Sequence, residues 1–186
     1  MPSPLNAHCF AEPHWRVKAR GFDPEVWALQ GMAAGTGGIL MPQEIHLPTG
    51  QYYYRFASSK KSIAEQLGGA WWIDFENFRT IRSFAQAHGH SLHGAARLML
   101  ALPYAWTDVD RLVRALLKLP LKAYTGHGKP ALGSADGRDR GTSWVPTQHI
   151  RVRQLYIPGL LVDAKPTPSR QLYELAFSQP VEVTPL

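Results

Sequence analysis

Two short segments hold the residues best suited to chemistry. One is Tyr52-Tyr53-Tyr54-Arg55-Phe56-Ala57-Ser58-Ser59. The other is Gly68-Gly69-Ala70-Trp71-Trp72-Ile73-Asp74, followed by Phe75-Glu76-Asn77-Phe78-Arg79. An arginine inside an aromatic strand is costly to bury unless it meets an anion. From a rigid strand, Arg55 can clamp a phosphate bidentately. Adjacent tryptophans on a strand point to opposite faces, so one enters a core and the other is free to form a cleft wall. A purely structural role is also open, with Arg55 outward and both indoles filling cores on two sides.

Other chemistries find little support. Of eight histidines, His88, His90 and His93 form the one cluster. They lack flanking carboxylates and HExxH spacing, so no metal site is expected. Gly126-His127-Gly128-Lys129-Pro130 imitates a phosphate loop, but Ala123 stands where the first glycine belongs and Pro130 where Ser or Thr should bind magnesium. Backbone N–H groups and Lys129 can still meet a phosphate there. There is no Gly-x-Ser-x-Gly elbow. Asp108/Asp110 and Asp74/Glu76 read as helix-start acids that complement the macrodipole, not as catalytic pairs. The lone Cys9 excludes an intramolecular disulfide and suits a reducing compartment.

The elements that must position these residues follow from caps and periodicity. Residues 51–57 read as an aromatic strand. Ser62-Ile63-Ala64-Glu65 is a capping box opening a short helix that Gly68-Gly69 ends. Residues 70–73 read as a strand, and Asp74 caps a helix with Phe75, Phe78, Ile81 and Ala85 on one side. Ser91 caps another helix. Thr107 is expected to cap a third, because Val109, Leu112, Val113, Leu116 and Leu117 fall at helical spacing. Strands are expected at 121–125, 149–157, 171–177 and 181–184. Asp23-Pro24-Glu25 resembles a helix start. Arg16 to Arg20 alternates weakly, and residues 1–50 hold six of the 15 prolines. The expectation is one α+β domain, 1–186, with a mainly antiparallel sheet. It has an irregular N-terminal arm (1–50), a helical insert at about 75–118 and a basic Gly-rich loop at 126–143. No run of ~18 apolar residues suggests a membrane span, and Met1-Pro2-Ser3-Pro4 does not open a secretory signal. A cytoplasmic protein is expected.

An aromatic strand with Tyr-Arg-Phe, a short helix ending in Gly-Gly, a Trp-rich strand and a helix resemble the first half of ADP-ribosyltransferase-like folds. The resemblance covers roughly residues 50–90 and 145–160. It implies NAD as substrate, with Arg55 contacting it and Tyr54, Ser58, Trp71, Trp72 and Phe78 shaping the pocket. It matches Gln154 to the position of the family's catalytic Glu, making Arg55 and Gln154 the catalytic pair. An amide can bind a ribose hydroxyl but supplies no negative charge. No Ser-Thr-Ser triplet follows the Trp strand. The implied function is therefore either a transferase acting on a macromolecular target or a nucleotide-binding scaffold.

Charge suggests an alternative. The chain of 186 residues carries a net +6. Between Asp110 and Arg153 there are nine Lys/Arg against three Asp/Glu, and elsewhere the two are balanced at eleven each. Such a stretch attracts polyanions. Arg111, Arg114, Lys118, Lys122, Lys129, Arg138 and Arg140, with Trp144 and Tyr124 for stacking, are the candidate contacts to nucleic acid or an acidic protein. On that reading the chain is a non-enzymatic regulator or inhibitor.

Overall fold

The computed structural model describes residues 3–21, 37–104, 106–132, 143–145, 152–160, 168–178 and 181–186. A 3₁₀ turn (Ala7–Ala11) and helix α1 (Pro13–Ala19) come first. Strands β1 (Gln43–Leu47) and β2 (Tyr52–Ala57), helix α2 (Ile63–Gly68) and strand β3 (Trp71–Asp74) follow. Then come helices α3 (Phe75–His88) and α4 (Leu92–Leu100), and strands β4 (Arg111–Leu116) and β5 (Leu121–His127). The chain continues through β6 (Ala131–Leu132), β7 (Ser143–Trp144), β8 (Arg153–Tyr156), α5 (Pro168–Ala176) and β9 (Glu182–Pro185). Seven strands form one sheet in the order β1-β5-β8-β3-β2-β4-β9. Each neighbouring pair in it is antiparallel. The architecture is α+β, in a single domain.

Local signals formed as the sequence predicts where their partners are local. Ser62 accepts from the Glu65 amide while the Glu65 carboxylate reaches back to Ser62 N–H, closing the capping box. Asp74 caps α3 through the Asn77 amide at 2.8 Å, and Ser91 caps α4 through Gly94.

Three elements differ from expectation. The helix expected after Thr107 is instead strand β4. Val113, Ala115 and Leu117 alternate inward and are buried, and β2 and β9 pair with the strand on both sides. The 111–117 run satisfies both periodicities, and two-sided pairing decides between them. The helical insert therefore ends at Leu100. Thr107 makes a turn instead of a cap, its Oγ1 accepting from Val109 N–H at 3.2 Å. Val109 sits at φ +56°, a strained setting for a β-branched residue, with its side chain fully buried. Asp108 and Asp110 serve no helix; they bind Ser58, Ser59 and Lys60 across the strand ends.

Residues 171–177 form the end of a helix and its exit, not a strand. Tyr173, Ala176 and Phe177 lie on one helical side and are buried on the sheet. The N-terminal arm is more regular than expected. Arg16 to Ala19 belong to α1, which Pro13 opens at its first position. Cys9 is buried in the preceding turn, where desolvation lifts its thiol pKa to about 11, so it stays a protonated, unreactive thiol at neutral pH. The helix start at Asp23 and most of the Gly-rich loop lie outside the described residues.

The sheet carries a core on each face. On one, Tyr53, Ala57, Trp72, Val113 and Leu155 meet Tyr173 and Phe177 of the α5 region. On the other, Tyr54, Phe56 and Ile73 meet Phe78, Ile81, Ala96 and Met99 of α3 and α4. A third cluster joins Ala19, Ile39, Tyr124 and Tyr156. Among the described residues no helix is long and apolar enough to cross a membrane.

Candidate functional site

The sheet is thinly paired on both sides of β3, and the seam with β2 borders a cavity. Strands β2 and β4 pair along six residues, but β2 and β3 pair only at Tyr53–Asp74 and Tyr54–Ile73. Beyond Tyr54 the strands part, β3 continuing on β8 through Trp71–Tyr156 and Trp72–Leu155. A cavity of about 440 Å³ opens where they separate. That is within the range of small-molecule sites. The last residues of β2, the first of β3, the 61–66 segment, the end of α4 and β8 all contribute to its wall.

Arg55 lines this cavity. Its Nε donates to the Gln66 carbonyl at 3.0 Å and one terminal nitrogen to the Trp71 carbonyl at 3.2 Å. A guanidinium has five N–H donors, so three remain. No described carboxylate pairs with it, and burial alone pulls its pKa down to about 10. Gly69 makes this possible: any side chain there would overlap the guanidinium. A desolvated cation without a counter-charge is the arrangement an anionic ligand would relieve.

The two tryptophans divide as their strand requires. Trp72 is 1 % exposed, stacks on Phe177 at 5.2 Å and donates its indole N–H to the Gly69 carbonyl at 2.6 Å. Trp71 lies on the opposite face, lines the cavity and meets Tyr156 edge-on at 4.9 Å. Tyr54 also lines the cavity and stacks at 4.1 Å on Phe78, which stands behind it without reaching the wall. Ser58 is buried at the rim, its hydroxyl donating to Asp108 at 2.8 Å. Gln154, on β8, lines the same cavity, and its Nε2 donates to the Leu100 carbonyl at 3.2 Å. That bond commits the amide nitrogen and leaves Oε1 as the acceptor end. The structure thus brings Arg55, Tyr54, Ser58, Trp71, Trp72 and Gln154 to the lining of one cavity, the Trp72 indole itself being turned into the core.

Several lining residues carried no sequence signal. Lys18 comes from α1, Lys61, Glu65 and Gln66 from the capping-box segment, and Trp106 and Thr107 from the turn before β4. Glu65 is the one carboxylate among the described lining residues. Ser62, first, and then Lys61 hold its pKa below the usual range; its Oε2 accepts from the Ser62 hydroxyl and N–H, and its Oε1 faces Lys61 Nζ at 3.6 Å. Trp106 is 43 % exposed and packs over Gly37, whose missing side chain makes room for the indole. Only the capping box had a local motif.

The basic residues are dispersed. Arg114 donates to Glu182 at 3.0 Å and lies 3.8 Å over the Tyr52 ring. Arg111 donates to the Asp110 carbonyl at 2.9 Å. Lys122 binds Glu44 at 2.7 Å and covers Phe10. Strands β4 and β5 stand four places apart in the sheet, roughly 19 Å at the usual strand spacing. Lys118 is exposed between them in sequence, and Lys129 is half-buried, with burial lowering its pKa. Tyr124 is buried against Phe10 and is not available for stacking on a base. Trp144 lies on β7 opposite Ala131, and Arg138 and Arg140 fall outside the described residues. No group of three metal-ligating side chains occurs among the described residues; His88 and His90 flank Phe84 instead. No protein-family model, curated protein or solved structure matches this chain.

Proposed function

We propose that this chain is an ADP-ribosyltransferase-like NAD-binding protein that acts on a macromolecular target in the cytoplasm. The carrying observation is Arg55: a desolvated guanidinium with two of its five donors engaged and no carboxylate partner among the described residues, lining an aromatic cavity. A dinucleotide phosphate supplies the missing charge. Trp71 and Tyr54 provide flat apolar walls for nicotinamide. The Gln154 amide oxygen is positioned to accept from a ribose hydroxyl.

In such a reaction the ribose C1–nicotinamide bond breaks and nicotinamide leaves with the electron pair. A nucleophile on the target then bonds to C1 and releases its proton. Positive charge builds on the ribose as the bond breaks. An amide dipole stabilises it less than a carboxylate does, so slow transfer with measurable NAD binding is the expected phenotype. Calorimetry with NAD, alongside Arg55→Ala and product analysis with an acidic or nucleic-acid acceptor, tests the reading. Saturable binding lost in Arg55→Ala is expected. Absence of binding, or equal binding by the variant, overturns it.

A further inference from the structure

Resting on that reading, we infer that Trp106 is a specificity-determining residue: its indole stacks the second base of the dinucleotide, the adenine, where the cavity meets solvent. Trp106 lines the cavity and is 43 % exposed, so it stands at the mouth and not on the inner wall. A large flat apolar surface beside a cavity, left in water, is suited to a planar ligand group.

Several anchors hold this ring in place. The Trp106 N–H donates to the Pro103 carbonyl at 3.1 Å. Buried Arg97 pins the segment on both sides, donating to the Leu102 carbonyl at 3.0 Å and to the Thr107 carbonyl at 2.7 Å. The benzo edge of the indole rests against Gly37, where a Cβ would come within 2.7 Å of Cη2. Gly37 has φ +70°, and its N–H donates to the Pro130 carbonyl at 2.9 Å. The close approach and the left-handed backbone both call for glycine there. A ring fixed in this way loses little freedom when a base stacks on it.

The charges on the wall fit what joins two rings. Lys18, Arg55 and Lys61 face one carboxylate, Glu65, among the described lining residues. A dinucleotide is two flat rings linked by an anionic diphosphate. Trp71 and Tyr54 offer a wall to the first ring, the cations suit the linker, and Trp106 is left for the second ring. A mononucleotide has no second base to place there.

The test titrates the full chain with NAD and with nicotinamide mononucleotide, which keeps the first ring, its ribose and one phosphate but lacks the adenylate half. Trp106→Ala should weaken NAD binding roughly 5- to 100-fold, the range for one base that loses its aromatic platform. Its affinity for nicotinamide mononucleotide should be unchanged, which also shows that the variant is folded. Trp106→Phe should recover most of the NAD affinity. If Trp106→Ala binds NAD as the native protein does, while Arg55→Ala loses it, the NAD reading stands and the role of Trp106 falls. An equal loss for both ligands, or no recovery with phenylalanine, also overturns that role. If the native protein does not bind NAD, both conclusions fall together.

Discussion

Arg55 and Arg114 sit on adjacent strands of one sheet, where Arg55 pairs with Val113 and Arg114 with Tyr54. They are neighbours in register and opposites in circumstance. Arg114 lies where β4 is paired on both sides; it has a carboxylate, an aromatic ring beneath it and access to water. Its pKa is raised, chiefly by the Glu182 hydrogen bond. Arg55 lies where β2 has lost its neighbour, and its pKa is lowered by burial alone. The same residue type is a surface fastening in one place and an unneutralised charge in the other. The comparison shows that sequence charge alone does not tell which cations have partners. Arg111, Arg114 and Lys122 of the +6 segment each have a partner, whereas Arg55, in the neutral remainder, has no carboxylate partner among the described residues.

The largest expected effect concerns what stands behind the seam. Trp72→Ala removes the indole that fills the core against Phe177 and Tyr173. It should cost about 3–5 kcal/mol of stability in urea denaturation; Trp71→Ala, on the cavity side, should cost clearly less. Equal losses would erase the distinction between the two faces of β3. Next, Gly69→Ala has an acceptable backbone, at φ −68°, but its methyl would overlap the Arg55 guanidinium. Displacing that flexible tip should weaken NAD binding roughly 10- to 100-fold, as loss of a charge-assisted pair does, with little change in the urea midpoint. A variant with unchanged affinity would mean that the guanidinium position is irrelevant to the ligand.

A pH series separates the two arginines more finely. Burial pulls the Arg55 pKa down to about 10, below that of an arginine in the unfolded chain. Its charge is therefore present at neutral pH at a cost to the fold, and that cost begins to fade as pH rises above about 10. Pyrophosphate affinity, read by titration, should hold level from pH 7 to 9 and decline above about 10. An unchanging affinity beyond pH 11 would assign the anion to another group. The smallest effect belongs to the edge: Glu182→Gln should cost roughly 0.2–1 kcal/mol, diminish with salt and leave ligand affinity untouched.

The legible parts of the sequence were those whose partners lie a few residues away. Ser62 with Glu65, Asp74 with Asn77, and Ser91 with Gly94 each close within one helical turn. The aromatic strand around Arg55 and the Trp pair were legible as candidates for the same reason, through composition and alternation. Strand β4 was not. Its 111–117 run matches two periods, and the choice belongs to β2 and β9, one far upstream and one at the C-terminus. The Tyr173 helix was misread because Leu172, Tyr173, Ala176 and Phe177 are helical neighbours in a segment too short to exclude alternation. Gln66, Trp106 and Lys18 were invisible as site residues, since only the closure of distant segments around the seam makes them neighbours.

The two-rung junction between β2 and β3 also has a mechanical meaning. A ladder with so few rungs is where a sheet cracks first. The β2–β4–β9 and β8–β5–β1 groups are each stitched more closely within themselves than β3 is to either. In native-state hydrogen exchange, the amides bridging β2 and β3 should open at lower free energy than those bridging β2 and β4. A ligand that spans the gap would then act as a rivet, slowing exchange on both sides of a fracture line that the backbone leaves almost unsewn.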